Sequence, residues 1–262
     1  MSAFELPLEL EEQLRPLGEP VAAFKSRMIA LWIAAVLCLV LGLGVLVGLA
    51  ALFLLPGQAG AREWYDLLKF GFFGLLLVGA GVEGIRRIRK NKGLRVYVFA
   101  DGLARIQGEA VEVLRWQDIA TVGRTVAIDS SRDGYNLGPS RKLTLTAADG
   151  KVFEFEDSLS DLKRLRQLVE QYTLPHLFQP VLDTCEEGSD YEFGEVKVNS
   201  EGLTHGGSQL PWGLCASIEV AKGLLVVKKQ DAWLAFCKVP VSKVPNVHVL
   251  IAYAEYVRKY AD

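Results

Sequence analysis

Residues 28–55 read MIALWIAAVLCLVLGLGVLVGLAALFLL, a run without one charged side chain. A helix needs about 20 residues to cross the roughly 30 Å hydrocarbon core of a bilayer. A soluble helix of this length would keep a polar face, and this run has none. Pro56-Gly57 ends it, and a more polar stretch continues to Asp66. A second apolar run occupies 67–85, LLKFGFFGLLLVGAGVEGI, with Lys69 and Glu83 near its two ends. Charges so placed reach the interface, and Trp64 and Tyr65 stand where an interfacial aromatic belt is expected. Residues 28–85 are therefore expected to form a two-helix transmembrane hairpin, 28–55 and 67–85. Neither run has a polar residue near its centre, which speaks against an ion or proton pathway.

Two other patterns lie in or beside the apolar run. Ala59-Gly60-Ala61 has the small residues of a signal-peptide cleavage site. A signal core, however, is about 7 to 15 apolar residues long, so a retained helix is expected. Gly42, Gly44 and Gly48 superficially match part of a dinucleotide fingerprint. That motif follows a strand and opens a soluble helix, which this context is not. Gly44 with Gly48, and Ala80 with Gly84, fit small-xxx-small packing instead, within the hairpin or in a homo-oligomer.

The flanks set the orientation. Arg86, Arg87, Arg89, Lys90, Lys92 and Arg95 follow the second run with no acid among them, Lys25 and Arg27 precede the first, and 56–66 holds one basic residue, Arg62. Segments rich in Lys and Arg stay in the cytoplasm. This predicts a multi-pass protein of the cell (inner) membrane with both termini cytoplasmic. Arg86, Arg87, Arg89, Lys90 and Lys92 are also candidate contacts for anionic lipid headgroups.

Outside the hairpin the composition is that of a soluble protein. The 262 residues carry a net charge of −2, so no bulk attraction to nucleic acid is expected. Cys38, Cys185, Cys215 and Cys237 match no metal or redox spacing. A Cys215–Cys237 disulfide would need an oxidising compartment, against the expected topology. His176, His205 and His248 are scattered without metal-ligand spacing, and no G-x-S-x-G, H-E-x-x-H or P-loop occurs. No cofactor, metal or catalytic residue is assigned.

Two stretches of the remainder look alike. Residues 96–122 read VYVFADGLARIQGEAVEVLRWQDIATV, and 196–220 read VKVNSEGLTHGGSQLPWGLCASIEV. Each has an alternating segment, a turn ending in Gly-Leu, a second strand and a tryptophan, Trp116 or Trp212. Hairpins are expected around Ala148-Asp149-Gly150, and between Gly223–Lys229 and Trp233–Lys238. A helix closes each stretch: one carries Leu162, Leu165, Leu168, Val169 and Tyr172 on one face with Ser160 as N-cap, the other Val247, Leu250, Ile251, Ala254 and Val257.

About six or seven strands followed by one amphipathic helix resembles the plan of the pleckstrin-homology-like superfold. The pieces YVFADGL (97–103), RWQDI (115–119), FGEVKVNSEGL (193–203), LPW (210–212) and VPNV (244–247) resemble a bacterial membrane-protein family of unknown function. Its members pair a transmembrane hairpin with PH-like units. The resemblance implies a membrane-anchored protein in which the hairpin is followed by two tandem PH-like α+β units, each a curled antiparallel sheet or barrel with a C-terminal helix. The implied divisions are an N-terminal cytoplasmic segment 1–27, the hairpin 28–85, a first unit 94–174, a connector 175–194 open to helix in part, and a second unit 195–262. Phosphoinositide-binding PH domains cluster Lys and Arg in the first hairpin; here that turn is Ala100-Asp101-Gly102, which speaks against inositol lipids.

The leading functional expectation is a membrane-tethered binding or scaffold module that is not an enzyme. Its partner would be a protein or anionic lipid headgroups, with Trp116 and Trp212 as candidate contacts, although a tryptophan at a repeated position more often packs a core. One alternative is an enzyme with its site in the polar loop 129–140 or the connector 173–194. Another is a component of a small transporter or channel.

Overall fold

The first apolar run folds as one helix, α1 (Ile29–Leu54), and the second lies within a longer one, α2 (Ala61–Asn91). The structure is a computed structural model and describes residues 12, 14–26, 29–54, 61–91, 93–127, 140–156 and 158–260. Helix α2 does not stop at Ile85 but runs on through the basic stretch to Asn91. Its cations therefore sit at the C-terminal end, where the negative pole of the helix dipole favours them.

The chain divides into two compact units: a hairpin unit of residues 25–95 with 106–110, and a β-rich unit of the remainder. In the hairpin unit, α1 and α2 pack antiparallel on small residues. A β-carbon at Gly42 would lie 2.8–2.9 Å from Val78 and the Gly74 carbonyl oxygen, and one at Gly84 2.8 Å from Ala35. Gly81 likewise faces Ala35 and Leu39. Gly44 and Gly48 face open space, so the close approach uses Gly42, Gly74, Gly81 and Gly84 rather than the Gly44/Gly48 pair. Residues pointing away from the pair, among them Trp32, Val40, Val47, Leu68 and Phe72, are more than half exposed. The stretches Trp32–Ala51 and Leu68–Arg86 are long and apolar enough to cross a membrane.

In the β-rich unit, strands β1 (Pro20–Lys25), β2 (Arg95–Phe99), β3 (Gly102–Gln107) and β4 (Ala110–Arg115) form a sheet in that order. A 3-10 turn, Trp116–Asp118, leads to a second sheet of β5 (Ile119–Ala127), β6 (Ser140–Ala147) and β7 (Val152–Glu156), then helix α3 (Leu162–Glu186). The chain continues with a sheet of β8 (Tyr191–Phe193), β9 (Val196–Val198), β10 (Gly202–His205) and β11 (Ser208–Pro211). Another 3-10 turn, Trp212–Leu214, leads to β12 (Cys215–Ala221), β13 (Leu224–Lys229) and β14 (Ala235–Pro240), and helix α4 (Val247–Tyr260) closes the order.

Strand β1 comes from the N-terminal segment, where no strand was expected. It runs antiparallel to β2: Ala100 N–H donates to the Glu19 carbonyl (3.1 Å), and Ser26 N–H to that of Leu94 (3.2 Å). Leu14, Leu17, Ala22 and Phe24 of the same segment are buried. The helical hairpin is thus an insertion between two neighbouring strands of one sheet.

Period-two burial explains the sheets. Leu143, Leu145, Phe153 and Phe155 alternate inward on β6 and β7, and Leu225, Val227, Cys237 and Val239 do so on β13 and β14. The turn at Ala148-Asp149-Gly150 forms as expected, with Gly150 at φ 85°. Strand β14 begins at Ala235 rather than Trp233, which leaves Trp233 and Leu234 in the turn. The N-cap of α3 is Asp161, not Ser160; its side chain accepts from Arg164 N–H. Helix α3 continues through Pro175 and Pro180, so residues 175–186 of the expected connector are helical. Its first half buries Leu162, Leu165 and Val169; its second half gives Val181 and Cys185 to the core around Trp212.

Candidate functional site

Trp116 ends the extended chain of β4, and its backbone N–H donates to the Asp101 carbonyl (3.2 Å). A buried indole needs an acceptor for its own N–H. Trp116 Nε1 donates to the carbonyls of Phe99 (3.2 Å) and Ala100 (2.9 Å), which pins the Ala100-Asp101-Gly102 turn beneath the ring. Tyr172 of α3 stacks on that ring, with centroids 5.4 Å apart and planes 6° from parallel. Trp116 is only 2% exposed.

Trp212 repeats much of this arrangement. Its backbone N–H donates to Glu201 (3.1 Å) and its indole to the Asn199 carbonyl (2.9 Å), and Tyr253 of α4 meets the ring edge-on. Trp212 is 4% exposed. Both tryptophans are therefore packed inside, with their polar atoms satisfied by backbone.

Over Trp116 the described surface opens into a groove of about 490 Å³. Trp116, Tyr172 and the prolines Pro16 and Pro175 supply its apolar lining. Asp101, Arg115, Gln117, Gln171 and His176 supply exposed polar groups at its edges. One carboxylate, one guanidinium, one imidazole and two amides with an aromatic floor suit hydrogen bonding to a backbone combined with apolar contact. They do not select an anion or a cation by charge.

A second polar group of residues lies deeper in the β-rich unit. Asn246 stands just before α4 in a left-handed conformation and is 8% exposed. Its Oδ1 accepts from Val122 N–H (2.7 Å), its Nδ2 donates to the Ala120 carbonyl (3.1 Å), and its N–H donates to the Val122 carbonyl (3.0 Å). One side chain thus imitates a strand edge against β5. Nearby, Glu170 pairs with Arg124 and, at 3.6 Å, with Arg166. Burial pushes the Glu170 carboxyl upward against the pull of both arginines.

His248 Nε2 lies 3.3 Å from Thr173 Oγ1, whose own proton goes to the Val169 carbonyl (2.7 Å). The hydroxyl must then accept from an Nε2–H imidazole, while the buried Nδ1 has no partner. Protonating Nδ1 would place an unpaired N–H beside Arg124. Burial and that guanidinium hold His248 down at about 4.

The other expected residues are dispersed. Arg86 and Arg89 are exposed on α2; the side chains of Arg87 and Lys90, and all of Lys92, lie outside the described residues. So do Arg27, the hairpin connection 55–60 and the loop 129–140 up to residue 139. Three lysines close in sequence, Lys222, Lys228 and Lys229, are also separated, the first at one end of β13 and the other two at its far end. Cys185, Cys215 and Cys237 are buried free thiols, and Cys237 is pushed up to about 11 by burial. Among the described residues, no group of His, Cys, Asp or Glu could hold a metal. Of the two tryptophans named as candidate contacts, both are core side chains, and the groove, the Asn246 contact and the Arg124–Glu170–Arg166 group had no local signal in the sequence.

No curated protein and no solved structure matches the chain. The model of a family of unknown function, DUF6585, matches residues 8–261, nearly the whole chain, and the chain belongs to that family.

Proposed function

We propose that this protein is a membrane-tethered binding module without enzymatic activity. The helical hairpin crosses the membrane twice, and two PH-like units in tandem sit at its cytoplasmic face. The groove over Trp116 receives an extended segment of a protein partner.

The PH-like reading is supported by the recurrence of one order: a four-stranded sheet, a 3-10 turn opening on tryptophan, a three-stranded sheet and a closing helix bearing a tyrosine against that tryptophan. The membrane reading is supported by the exposed apolar surface of α1 and α2, which water would penalise at about 25 cal/mol per Å². The double crossing is supported by the position of the hairpin. A chain that leaves a sheet at β1 and returns to the neighbouring β2 begins and ends on one side. The basic residues at the end of α2 favour the cytoplasm for that side.

The observation that carries the binding role is the groove, whose aromatic floor and polar edges match a peptide backbone. A photo-crosslinking amino acid at Gln117 of the full chain, in native membranes, tests it. A discrete protein adduct is expected, and it should disappear when Gln171→Trp fills the groove. No adduct, or an adduct indifferent to the filling, would contradict the reading.

A further inference from the structure

Turns between strands are normally polar, because their side chains stand in water. The β13–β14 turn breaks this rule. Trp233 is 105% exposed and Leu234 83% exposed, the most exposed large apolar side chains of the β-rich unit among the described residues. Leu214 stands at the same end of the sheet and is also exposed; its carbonyl accepts from Gln230 N–H at 2.9 Å, which ties down the base of the turn. Asp231 takes a left-handed conformation, φ 55°, and the strand register slips between Val227 and Lys228. The turn is therefore held in shape while its two apolar side chains are held in water.

We propose that this turn is a second, reversible membrane contact, in which Trp233 and Leu234 enter the headgroup layer of an anionic bilayer. The chemistry of the tip favours lipid over protein. Tryptophan is enriched at the membrane–water boundary, where its ring is half in hydrocarbon and its N–H stays wet. The apolar residues stand out from a turn rather than lining a groove. Lys228 and Lys229 stand directly behind the tip with Asp231 beside them, and Lys229 is the cation left for anionic headgroups. Lys228 also reaches Glu219 at 2.8 Å, while Lys229 makes no ion pair among the described residues. Two apolar side chains bind a bilayer weakly by themselves. The inference therefore rests on the membrane reading of the hairpin, which keeps lipid at high effective concentration.

The test uses the full chain with all five tryptophans replaced by 5-fluorotryptophan, in nanodiscs of zwitterionic lipid with or without phosphatidylglycerol. Tryptophan-to-phenylalanine substitutions assign the resonances. A spin label near the lipid headgroup should broaden Trp233, more strongly with phosphatidylglycerol, and Leu234→Asp should abolish that broadening. Trp32 of α1 reports the hairpin independently. If Trp32 broadens and Trp233 does not, the inference fails while the membrane reading stands. Trp233 shielded from an aqueous gadolinium chelate yet untouched by the lipid label would mean a protein contact, which also overturns it. Neither residue broadening would overturn both.

Discussion

Asn246 stands at φ 54°, a conformation that costs a residue with a β-carbon roughly 1–2 kcal/mol. Its side chain offsets that cost with two hydrogen bonds to β5. The two contributions can be separated. Asn246→Gly relieves the backbone but strands Val122 N–H and the Ala120 carbonyl, for a loss of about 2 kcal/mol. Asn246→Ala strands the same groups and keeps the strain, so chemical denaturation should find it about 1 kcal/mol worse still. Equal losses would mean the conformation carries no strain. His248 gives a second expectation at this scale. Its folded value of about 4 lies below the unfolded 6.5, so the unfolded chain binds the proton first. Stability should therefore fall as pH drops from about 6.5 toward 4, by up to about 3 kcal/mol. Glu170, whose carboxyl is raised, works in the opposite sense, since the folded state binds its proton more tightly. Comparing wild type with His248→Gln isolates the histidine: the variant should show less acid destabilisation. An unchanged pH profile would remove His248 from the account.

Between helices, the same residue type has opposite consequences according to its face. A side chain at Gly42 or Gly81 must displace α2 or α1, whereas one at Gly44 or Gly48 meets open space. Gly42→Leu and Gly81→Leu should lower the thermal stability of the full chain in detergent micelles. Gly44→Leu should leave it equal or raise it slightly, because glycine costs a helix interior about 0.5–1 kcal/mol. Comparable losses at all three positions would contradict the helix register. The sequence could not choose among these glycines, since small-xxx-small spacing marks a stripe and not the partner's position. How far α3 runs into the connector was likewise left open by local signals. Pro175 and Pro180 each remove one ladder donor, which reads as a break, but the two cores packed along the helix hold it continuous. Hairpins with short-range signals, such as Ala148-Asp149-Gly150, were legible because turn and strands lie side by side in the chain.

For the molecule as a whole, the apolar helices and the order of strands and closing helices were readable, since period and length are local properties. Strand β1 was not, because its partner β2 comes only after the whole hairpin and its six residues, PVAAFK, barely alternate. The groove was hidden for a similar reason: it gathers Pro16, the turn at 100–101, residues 115–117 and the middle of α3. Strand β1 is also what turns two apolar helices into a topological argument. Its pairing with β2 supports the proposed crossing, in which the hairpin leaves from and returns to one side. Cysteine accessibility in whole cells tests this directly, using the full chain with Cys38→Ala and one added cysteine, Gln58→Cys or Asp149→Cys. A membrane-impermeant maleimide should label Gln58→Cys in intact cells and Asp149→Cys only after permeabilisation. Labelling of both from outside, or of Asp149→Cys alone, would contradict a hairpin that crosses twice and returns to the cytoplasm.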